Sequence, residues 1–410
     1  MSVLHPFRAL RPAREAAPAV SSVPYDVVST DEARQLASGN PLSFLHVTRS
    51  EIDLPAGADP YAAGVYARAK ANLDALRTAA PLVDESEPSL YFYRLRMGGH
   101  EQTGVAACFS LDEYEQDAIK KHERTRRDKE DDRTRHIIEL RAQTGVVFLT
   151  YKASADVDRL ARAVTSDAPL YDFRADDGVH HTIWRVPAKE ATALVDAFAA
   201  IPALYIADGH HRAASAARAR QDLRARSSTG AGPASEADTF IAVAFPDDQM
   251  QILPYNRTVT DLAGQSPAQF LDALRARVPV RDGSATPAGK GEVAMFLAGK
   301  WYALDLAQAQ PEDSSRASAL DVAKLQHHVL APLLKVGDVR TDKRIDFVGG
   351  ARGTAALEQA VTSGRAAVAF SMHPVTIDDL MAISDEGGIM PPKSTWFEPK
   401  LRDGLLIHTI

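Results

Sequence analysis

Short apolar segments with strand character alternate with segments of helical spacing along most of the chain. The clearest pair is a β-hairpin, because residues 89–97 alternate and a second run, 103–111, follows Gly98 and Gly99. Further strands before residue 260 are predicted at 146–151, 181–186, 204–207 and 239–245. Helices in the same part of the chain are predicted at 31–37, 62–79, 189–199 and 211–223. This alternation predicts a mixed α/β fold.

The chain is longer than a single hydrophobic core usually fills, so we expect more than one region. Its 410 residues are predicted to divide into an N-terminal mixed α/β region (1–112), a core (113–260) and a C-terminal α/β region (261–410). Residues 226–237 are rich in Ser, Gly, Ala and Pro, which is typical of a surface loop. Elements predicted in the C-terminal region are helices at 267–277, 321–336, 354–364 and 376–383, a hairpin at 292–306 turning at Gly299, and a strand at 368–370.

Composition argues against several classes of partner. The net charge of −7 gives no general attraction to nucleic acids or anionic lipid. No stretch approaches the roughly 18 apolar residues of a membrane span, and the N-terminus has no continuous apolar segment typical of a secretory signal. The single cysteine, Cys108, lies in an apolar run and is predicted to be a buried structural thiol. We expect a cytoplasmic protein that binds small molecules, with no nucleic-acid or membrane partner; the oligomeric state stays open.

The strongest local motif is Asp208-Gly209-His210-His211-Arg212, which lies between a predicted strand and an alanine-rich helix. Gly209 permits a tight turn, and the free N–H groups of the helix N-terminus favour an anion. Two imidazoles and a guanidinium at the same place suit phosphate, with Arg212 capable of bidentate contact. Asp208 could cap the helix or help to hold Mg²⁺. The simpler alternative is an Asp cap followed by solvated polar residues.

A second motif is His122-Glu123-Arg124-Thr125, just before a charge-dense segment. Residues 125–128 have the form of a capping box, which predicts a helix that begins at Arg126 and continues toward a C-terminal Gly145. His122 and Glu123 then fall in the turn before the helix, where a carboxylate is well placed to act as a base. The alternative is a salt-bridged surface helix, with Asp131 and Arg135 as one pair.

A third motif is the stiff, proline-containing segment that presents Lys393, Ser394 and Thr395. Three donors in a row suit an anionic ligand, although an ordered terminal loop would have the same sequence. Asn256-Arg257 and Pro24-Tyr25-Asp26 are weaker candidates, each compatible with a turn or a buried ion pair. Standard nucleotide fingerprints are not matched, because the glycine-rich segment 283–291 has the wrong spacing for a phosphate loop.

Taken together, these motifs resemble a widespread bacterial family, domain-of-unknown-function family 1015. The resemblance extends from Pro24 to Gly404 and is carried by KKHERTRRDKEDDR (120–133), ADGHHRAASA (207–216), LPYNR (253–257), RIDFVGG (344–350) and MPPKSTWFEPKL (390–401). The middle of the chain is also distantly similar to the ParB/sulfiredoxin-like fold, and within it to the free serine kinases. Those kinases share a His-Glu turn that opens a helix, followed later by an Asp-Gly-His-His-Arg turn.

The resemblance implies a ParB/sulfiredoxin-like core and transfer of phosphate from a nucleotide, ATP or ADP, to the hydroxyl of a small amino acid, most plausibly free L-serine. Glu123 would be the base, Mg²⁺ would be held by Asp208, and His210, His211 and Arg212 would stabilise the transferred phosphoryl group. Nucleotide and substrate would be bound by the remaining polar residues of the matched motifs, namely Lys120, His122, Thr125, Arg126, Gly209, Asn256, Arg257, Lys393, Ser394 and Thr395.

Two other functions are compatible with the same residues. A ParB-like nucleotide-binding regulator would use the anion pocket as a switch, without amino-acid chemistry. A metal-dependent phosphohydrolase would bind its metal through His210, His211 and Asp208.

Overall fold

The computed structural model describes residues 3–55, 57–79, 82–226 and 235–410. Two compact units make up the chain: Met1–Met250 together with Pro399–Ile410, and Gln251–Glu398. This division differs from the predicted regions, since the segments before and after residue 112 share one sheet. Most of the predicted loop at 226–237 lies outside the described residues.

The described strands, in chain order, are β1 (Leu4–His5), β2 (Ala9–Pro12), β3 (Leu82–Asp84), β4 (Tyr91–Met97), β5 (His100–Ser110), β6 (Ile119–Lys120), β7 (Ala142–Gln143), β8 (Val147–Tyr151), β9 (Tyr171–Arg174), β10 (His180–Arg185), β11 (Leu204–Asp208), β12 (Thr239–Pro246), β13 (Ile252–Leu253), β14 (Tyr255–Val259), β15 (Val280–Asp282), β16 (Glu292–Leu297), β17 (Lys300–Asp305), β18 (Ile345–Gly349), β19 (Val368–Ser371), β20 (Trp396–Phe397) and β21 (Ile407–Thr409).

The described α-helices are α1 (Ala17–Val20), α2 (Thr30–Ala37), α3 (Leu45–Thr48), α4 (Ala63–Ala79), α5 (Leu111–Glu115), α6 (Arg127–Leu140), α7 (Ala155–Val164), α8 (Ala188–Ala199), α9 (His210–Arg226), α10 (Pro267–Arg275), α11 (Asp321–Leu325), α12 (Ala331–Leu334), α13 (Ala355–Thr362) and α14 (Ile377–Asp385). The predicted mixed α/β class is confirmed. Among the described residues, no helix combines the length and hydropathy needed to cross a bilayer.

A large mixed sheet forms the centre of the first unit, in the order β6-β11-β8-β12-β5-β4-β10-β9, with β1 against β5. β6 runs parallel to β11 and β8 runs parallel to β12, whereas the other neighbours are antiparallel. The predicted hairpin of β4 and β5 is confirmed, with Met97 opposite His100 across Gly98 and Gly99. A smaller sheet, β3-β2-β21-β7, belongs to the same unit.

Helix α9 starts directly after β11 and packs against α6 and the sheet. Its alanines, among them Ala213 and Ala216, are buried in the same core as the apolar side chains of β8, β11 and β12. Small side chains let α6 come close, and the Ser215 hydroxyl donates to the Glu130 carbonyl at 3.3 Å. The strand-to-helix junction at Gly209 is therefore held between the sheet and α6.

Helix α6 differs from its prediction at both ends. It begins at Arg127, one residue later than predicted, and no side chain caps it. The capping box was wrong because the Thr125 hydroxyl donates to the Glu130 carboxylate instead. The helix ends at Leu140 in a left-handed Arg141 (φ 52°) rather than continuing toward Gly145.

The salt bridges of α6 differ from the intrahelical pair predicted for a surface helix. Asp131 pairs with Arg218 of α9, and Arg135 lies over the Tyr66 ring, so the predicted Asp131–Arg135 pair is replaced by contacts to other elements.

The second unit contains a six-stranded sheet, β15-β17-β16-β19-β14-β18, and the two-stranded β13-β20. The predicted hairpin is confirmed as β16 and β17, which turn at Ala298 and Gly299, both with positive φ. The long helix predicted at 321–336 is instead interrupted, because a π-helical segment, Gln326–Leu330, separates α11 from α12.

Candidate functional site

The junction between β11 and α9 is a tight turn that depends on Gly209. Gly209 has φ 94°, a conformation that L side chains rarely adopt. The Gly209 carbonyl accepts the N–H groups of Arg212 and Ala213 at 2.9 and 3.1 Å, so Gly209 occupies the capping position of α9. His210 and His211 are thus in the first turn of the helix, where backbone N–H groups have no intrahelical acceptor.

Both of these histidines hold the turn formed by residues 122–126. The His122 N–H donates to His210 Nε2 at 3.4 Å, and the Arg126 N–H donates to His211 Nε2 at 2.9 Å. In a neutral imidazole whose Nε2 is an acceptor, the proton is on Nδ1. The prediction that both rings donate to phosphate therefore needs correction in one respect, because Nε2 is an acceptor on each ring and only Nδ1–H is left to donate.

Glu123 lies beside the helix N-terminus, although it comes from a turn far away in the sequence. The potential ligand atoms of His122, Glu123 and His210, here called the His–Glu cluster, all lie within 4.8 Å of one another. The two imidazoles meet edge to face, with ring centroids 4.4 Å apart. The structure thus brings together the His-Glu and Asp-Gly-His-His-Arg motifs.

His122 is a buried side chain that lies near the Ile206 backbone. It is 2% exposed, and neither ring nitrogen has a hydrogen-bond partner of normal geometry among the described residues. Burial lowers the pKa of His122 to about 4. Burial, followed by the neighbouring His122, lowers the pKa of His210 well below its usual range. Both rings are therefore neutral at neutral pH.

Asp208, the last residue of β11, forms an ion pair with Lys400, whose Nζ lies 3.0 Å from the carboxylate. Burial alone would raise the pKa of Asp208, but Lys400, Arg212 and His210 outweigh burial, and the net pKa is lowered. Asp208 is ionised across the physiological range. Sequence analysis did not select Lys400, although it lies within the matched segment 390–401.

Arg212 requires a second correction, because its guanidinium is buried and already occupied. Nη2 contacts both carboxylate oxygens of Asp26 at 2.6 and 2.8 Å, and Nη1 donates to the Val146 carbonyl at 2.7 Å. Burial opposes its charge, yet the carboxylates of Asp26 and Asp208 raise the pKa of Arg212. Arg212 therefore anchors the start of α9, and two of its nitrogens are committed to Asp26 and Val146 rather than open to phosphate. Of the readings open for Asp26, the structure gives an ion pair, in which Arg212 is buried and Asp26 is partly exposed.

Asp403 is a further buried carboxyl group near Arg212. Burial raises the pKa of Asp403 to about 7, although the positive charge of Arg212 acts in the opposite direction. One of its carboxyl oxygens has no hydrogen-bond partner among the described residues. Asp403 was also missed by sequence analysis.

The remaining predicted residues of the first unit have local roles. Lys120 is half-buried in β6, opposite Tyr205 of β11, and so lies near the site. The Thr125 side chain is bonded to Glu130, and the Arg126 guanidinium pairs with Asp128 at 2.8 Å. For Arg126, the backbone N–H rather than the side chain contacts the site.

The other predicted residues belong to the second unit and are described within it. The Asn256 side chain accepts the Met372 N–H at 2.9 Å. Arg257 is buried and donates to the Tyr255 and Lys393 carbonyls, and burial lowers the pKa of Arg257 to about 10. A cleft of about 360 Å³ is lined in part by Tyr255, Arg257, Lys290, Asp321, His373 and Ser394.

The loop that follows Pro391 has an unusual backbone. Lys393 has φ 58°, and its Nζ lies 5.5 Å from the Tyr255 ring centroid. The Ser394 hydroxyl donates to the Pro391 carbonyl at 2.5 Å, and Thr395 is half-buried. Internal hydrogen bonding thus orders this loop, and the Ser394 hydroxyl proton is already donated.

Comparison with known proteins assigns the chain to a family. Residues 4–323 match the family described as "Protein of unknown function (DUF1015)". The chain therefore belongs to this family, as the matched motifs predicted. A search of curated proteins found no match.

Several solved structures are similar at low identity. A free serine kinase in complex with AMP is 12% identical and has a TM-score of 0.36, covering 74% of this chain and 91% of that chain. SbnI with a C-terminal truncation, from Staphylococcus aureus, is 12% identical with a TM-score of 0.39, covering 73% and 85%. A conserved hypothetical protein from Pyrococcus furiosus is 14% identical with a TM-score of 0.36, covering 74% and 94%. These scores are too low to support a functional argument.

Proposed function

We propose that this protein transfers a phosphoryl group from ATP or ADP to the hydroxyl of a small amino acid, with free L-serine as the first candidate. The observation that carries the proposal is the approach of Glu123 to the N-terminus of α9, fixed by the contacts from the 122–126 turn to His210 and His211. A carboxylate beside an anion-favouring helix end supplies two of the requirements of phosphoryl transfer, a base and a phosphate position.

In this mechanism, the substrate hydroxyl lies against Glu123 and loses its proton to that carboxylate as oxygen attacks phosphorus. The P–O bond to the rest of the nucleotide breaks, and the shortened nucleotide leaves. The backbone N–H groups at the N-terminus of α9 stabilise charge on the transferred group. Lys400 adds a positive charge next to Asp208, at the same end of the strand.

The resemblance implies that Mg²⁺ is bound, and the carboxylate of Asp208 is a suitable ligand for it. Asp208 offers an ionised carboxylate, and Mg²⁺ is commonly held by one or two carboxylates together with substrate phosphates. When bound, the ion neutralises phosphate charge. The imidazoles of His122 and His210 are unsuited to it, because Mg²⁺ prefers oxygen ligands.

The test is a product screen with the purified full-length protein. Each amino acid is incubated with Mg²⁺ and either ATP or ADP, and phosphorylated products are detected by mass spectrometry and ³¹P NMR. Phosphoserine formed in step with nucleotide consumption is the expected result. Tight nucleotide binding without a phosphorylated amino acid would favour the ParB-like regulator instead.

The metal-dependent phosphohydrolase has one specific observation in its favour, the His–Glu cluster. The ligand set predicted for it, His210, His211 and Asp208, is not the set that clusters. Asp208 is paired with Lys400, and His211 Nε2 accepts the Arg126 N–H. Phosphate release from a phosphomonoester, without nucleotide, would support this second candidate.

A further inference from the structure

The imidazole of His122 has no task in the proposed phosphoryl transfer. His122 contributes its backbone N–H to the contact with His210, but its imidazole, which lies near the Ile206 backbone, makes no hydrogen bond of normal geometry among the described residues. A buried polar group without a partner costs roughly 1–3 kcal/mol. A side chain retained at such a cost in a pocket beside a carboxylate points to a ligand that the ring binds.

The donor set identifies the chemical class of that ligand. Two imidazoles and a carboxylate are the ligands that Zn²⁺ and related transition metals take in sites with an open coordination position. Neither ring nitrogen of the buried His122 has a hydrogen-bond partner of normal geometry among the described residues, and His210 Nε2 would exchange only its long 3.4 Å contact with the His122 N–H for the ion.

The spacing also suits a metal ion. The candidate ligand atoms lie within 4.8 Å of one another. Bond lengths near 2.0–2.1 Å in a tetrahedral site imply ligand-to-ligand distances of about 3.3 Å. The three side chains therefore need to close by up to about 1.5 Å, which is within the range of small rotations about their side-chain bonds.

We propose that His122, Glu123 and His210 bind one divalent transition-metal ion, for which Zn²⁺ is the best match to two imidazole nitrogens and one carboxylate oxygen. The fourth position is left to water or substrate. Metal binding does not depend on the proposed kinase activity. The two are linked by one consequence: a coordinated Glu123 is a poorer base, so Zn²⁺ should inhibit phosphoryl transfer.

The experiment is calorimetric titration of chelator-treated full-length protein with zinc chloride, for the wild type and for His122→Leu, Glu123→Gln and His180→Gln. Wild type and His180→Gln, whose histidine pairs with Asp172 outside the cluster, should bind one Zn²⁺ with equal affinity. Losing an outer-shell partner costs ~10–100-fold in metal affinity, so losing a direct ligand should cost at least about 100-fold.

A melting curve separates a metal ligand from a structural residue. Zn²⁺ should raise the melting temperature of the wild type and leave that of His122→Leu unchanged, because only the native site binds the ion. Without metal, His122→Leu should be as stable as the wild type or more stable. Equal zinc affinity in the wild type and in both cluster variants, or no stoichiometric binding by the wild type, would overturn the proposal, whatever the outcome of the kinase screen.

Discussion

His211 Nε2 accepts the backbone N–H of Arg126 at 2.9 Å. This bond joins residues 85 positions apart and fixes the end of the turn that carries Glu123. A longer contact joins the His122 N–H to His210 Nε2. His210 and His211 therefore share a structural role, which is to align the turn with the start of α9. Several experiments follow from this arrangement.

Substituting His211 by leucine should impair catalysis more than stability. The Arg126 N–H is exposed and can bond to water instead, so unfolding should change little. Displacement of Glu123 by about 1 Å can cost on the order of 10²-fold in rate. The measurement is kcat and KM for the phosphorylation reaction beside a urea unfolding curve; a variant with full kcat would show that the bond has no positioning role.

Substituting Arg212 by methionine should destabilise the protein strongly. Removing one partner of a buried ion pair typically costs about 3–5 kcal/mol, and the Arg212 side chain is only 5% exposed. Asp26→Asn should cost less, because the Asp26 side chain is 34% exposed and Arg212 keeps its bond to Val146. Chemical unfolding measures both. An Arg212→Met protein that remains stable but inactive would instead favour the direct phosphate contact first predicted.

Substituting Gly209 by alanine should lower the free energy of unfolding by about 1–2 kcal/mol or more, because a left-handed backbone disfavours a Cβ. An added Cβ would also lie 3.3 Å from Arg212 Cδ and 3.4 Å from Val147 Cα. Gly178 is the matched control, since it has φ 83° but no atom within 4 Å of an added Cβ. Gly209→Ala should be the more damaging of the two in thermal unfolding, and equal losses would exclude a packing contribution at the junction.

Asp403 should make stability depend on pH. Its pKa is about 7 in the folded protein, against roughly 3.9 for an unfolded aspartate. Between these values the folded state holds the proton and the unfolded state does not, so this group disfavours folding progressively as pH rises from about 4 to about 7. Above about pH 7 its contribution is constant.

The difference in unfolding free energy between wild type and Asp403→Asn isolates that contribution. The wild type should lose stability relative to the variant across this range of pH. A difference that does not vary with pH would mean that Asp403 is ionised throughout, paired with Arg212.

Local patterns were sufficient to predict the elements that hold the site. The strand at 204–207 and the following helix were predicted to within a few residues, because apolar runs and Gly209 are local properties. The hairpin of β4 and β5 followed from its two glycines in the same way. The resemblance of several motifs then brought Glu123 into consideration beside the Asp-Gly-His-His-Arg turn.

Partners distant in sequence could not be predicted from local patterns. Asp26 is 186 residues from Arg212, and Lys400 is 192 residues from Asp208. In the sequence, Asp26 and Lys400 each appear only as one polar residue in a motif. That Asp26 pairs with Arg212, and Lys400 with Asp208, depends on the tertiary fold. The capping box failed for a related reason, because Thr125 bonds to a carboxylate in the next turn of the helix instead of to the backbone.

The central claim is that Glu123 removes the proton from the acceptor hydroxyl. The most direct measurement is the rate of phosphoserine formation by metal-stripped protein resupplied with Mg²⁺ and nucleotide, for wild type, Glu123→Gln and the control Glu101→Gln on the β4–β5 hairpin. Loss of a general base typically costs ~10²–10⁴-fold, so Glu123→Gln should fall by that factor while Glu101→Gln keeps the wild-type rate. Undiminished phosphoserine formation by a folded Glu123→Gln protein would contradict the account.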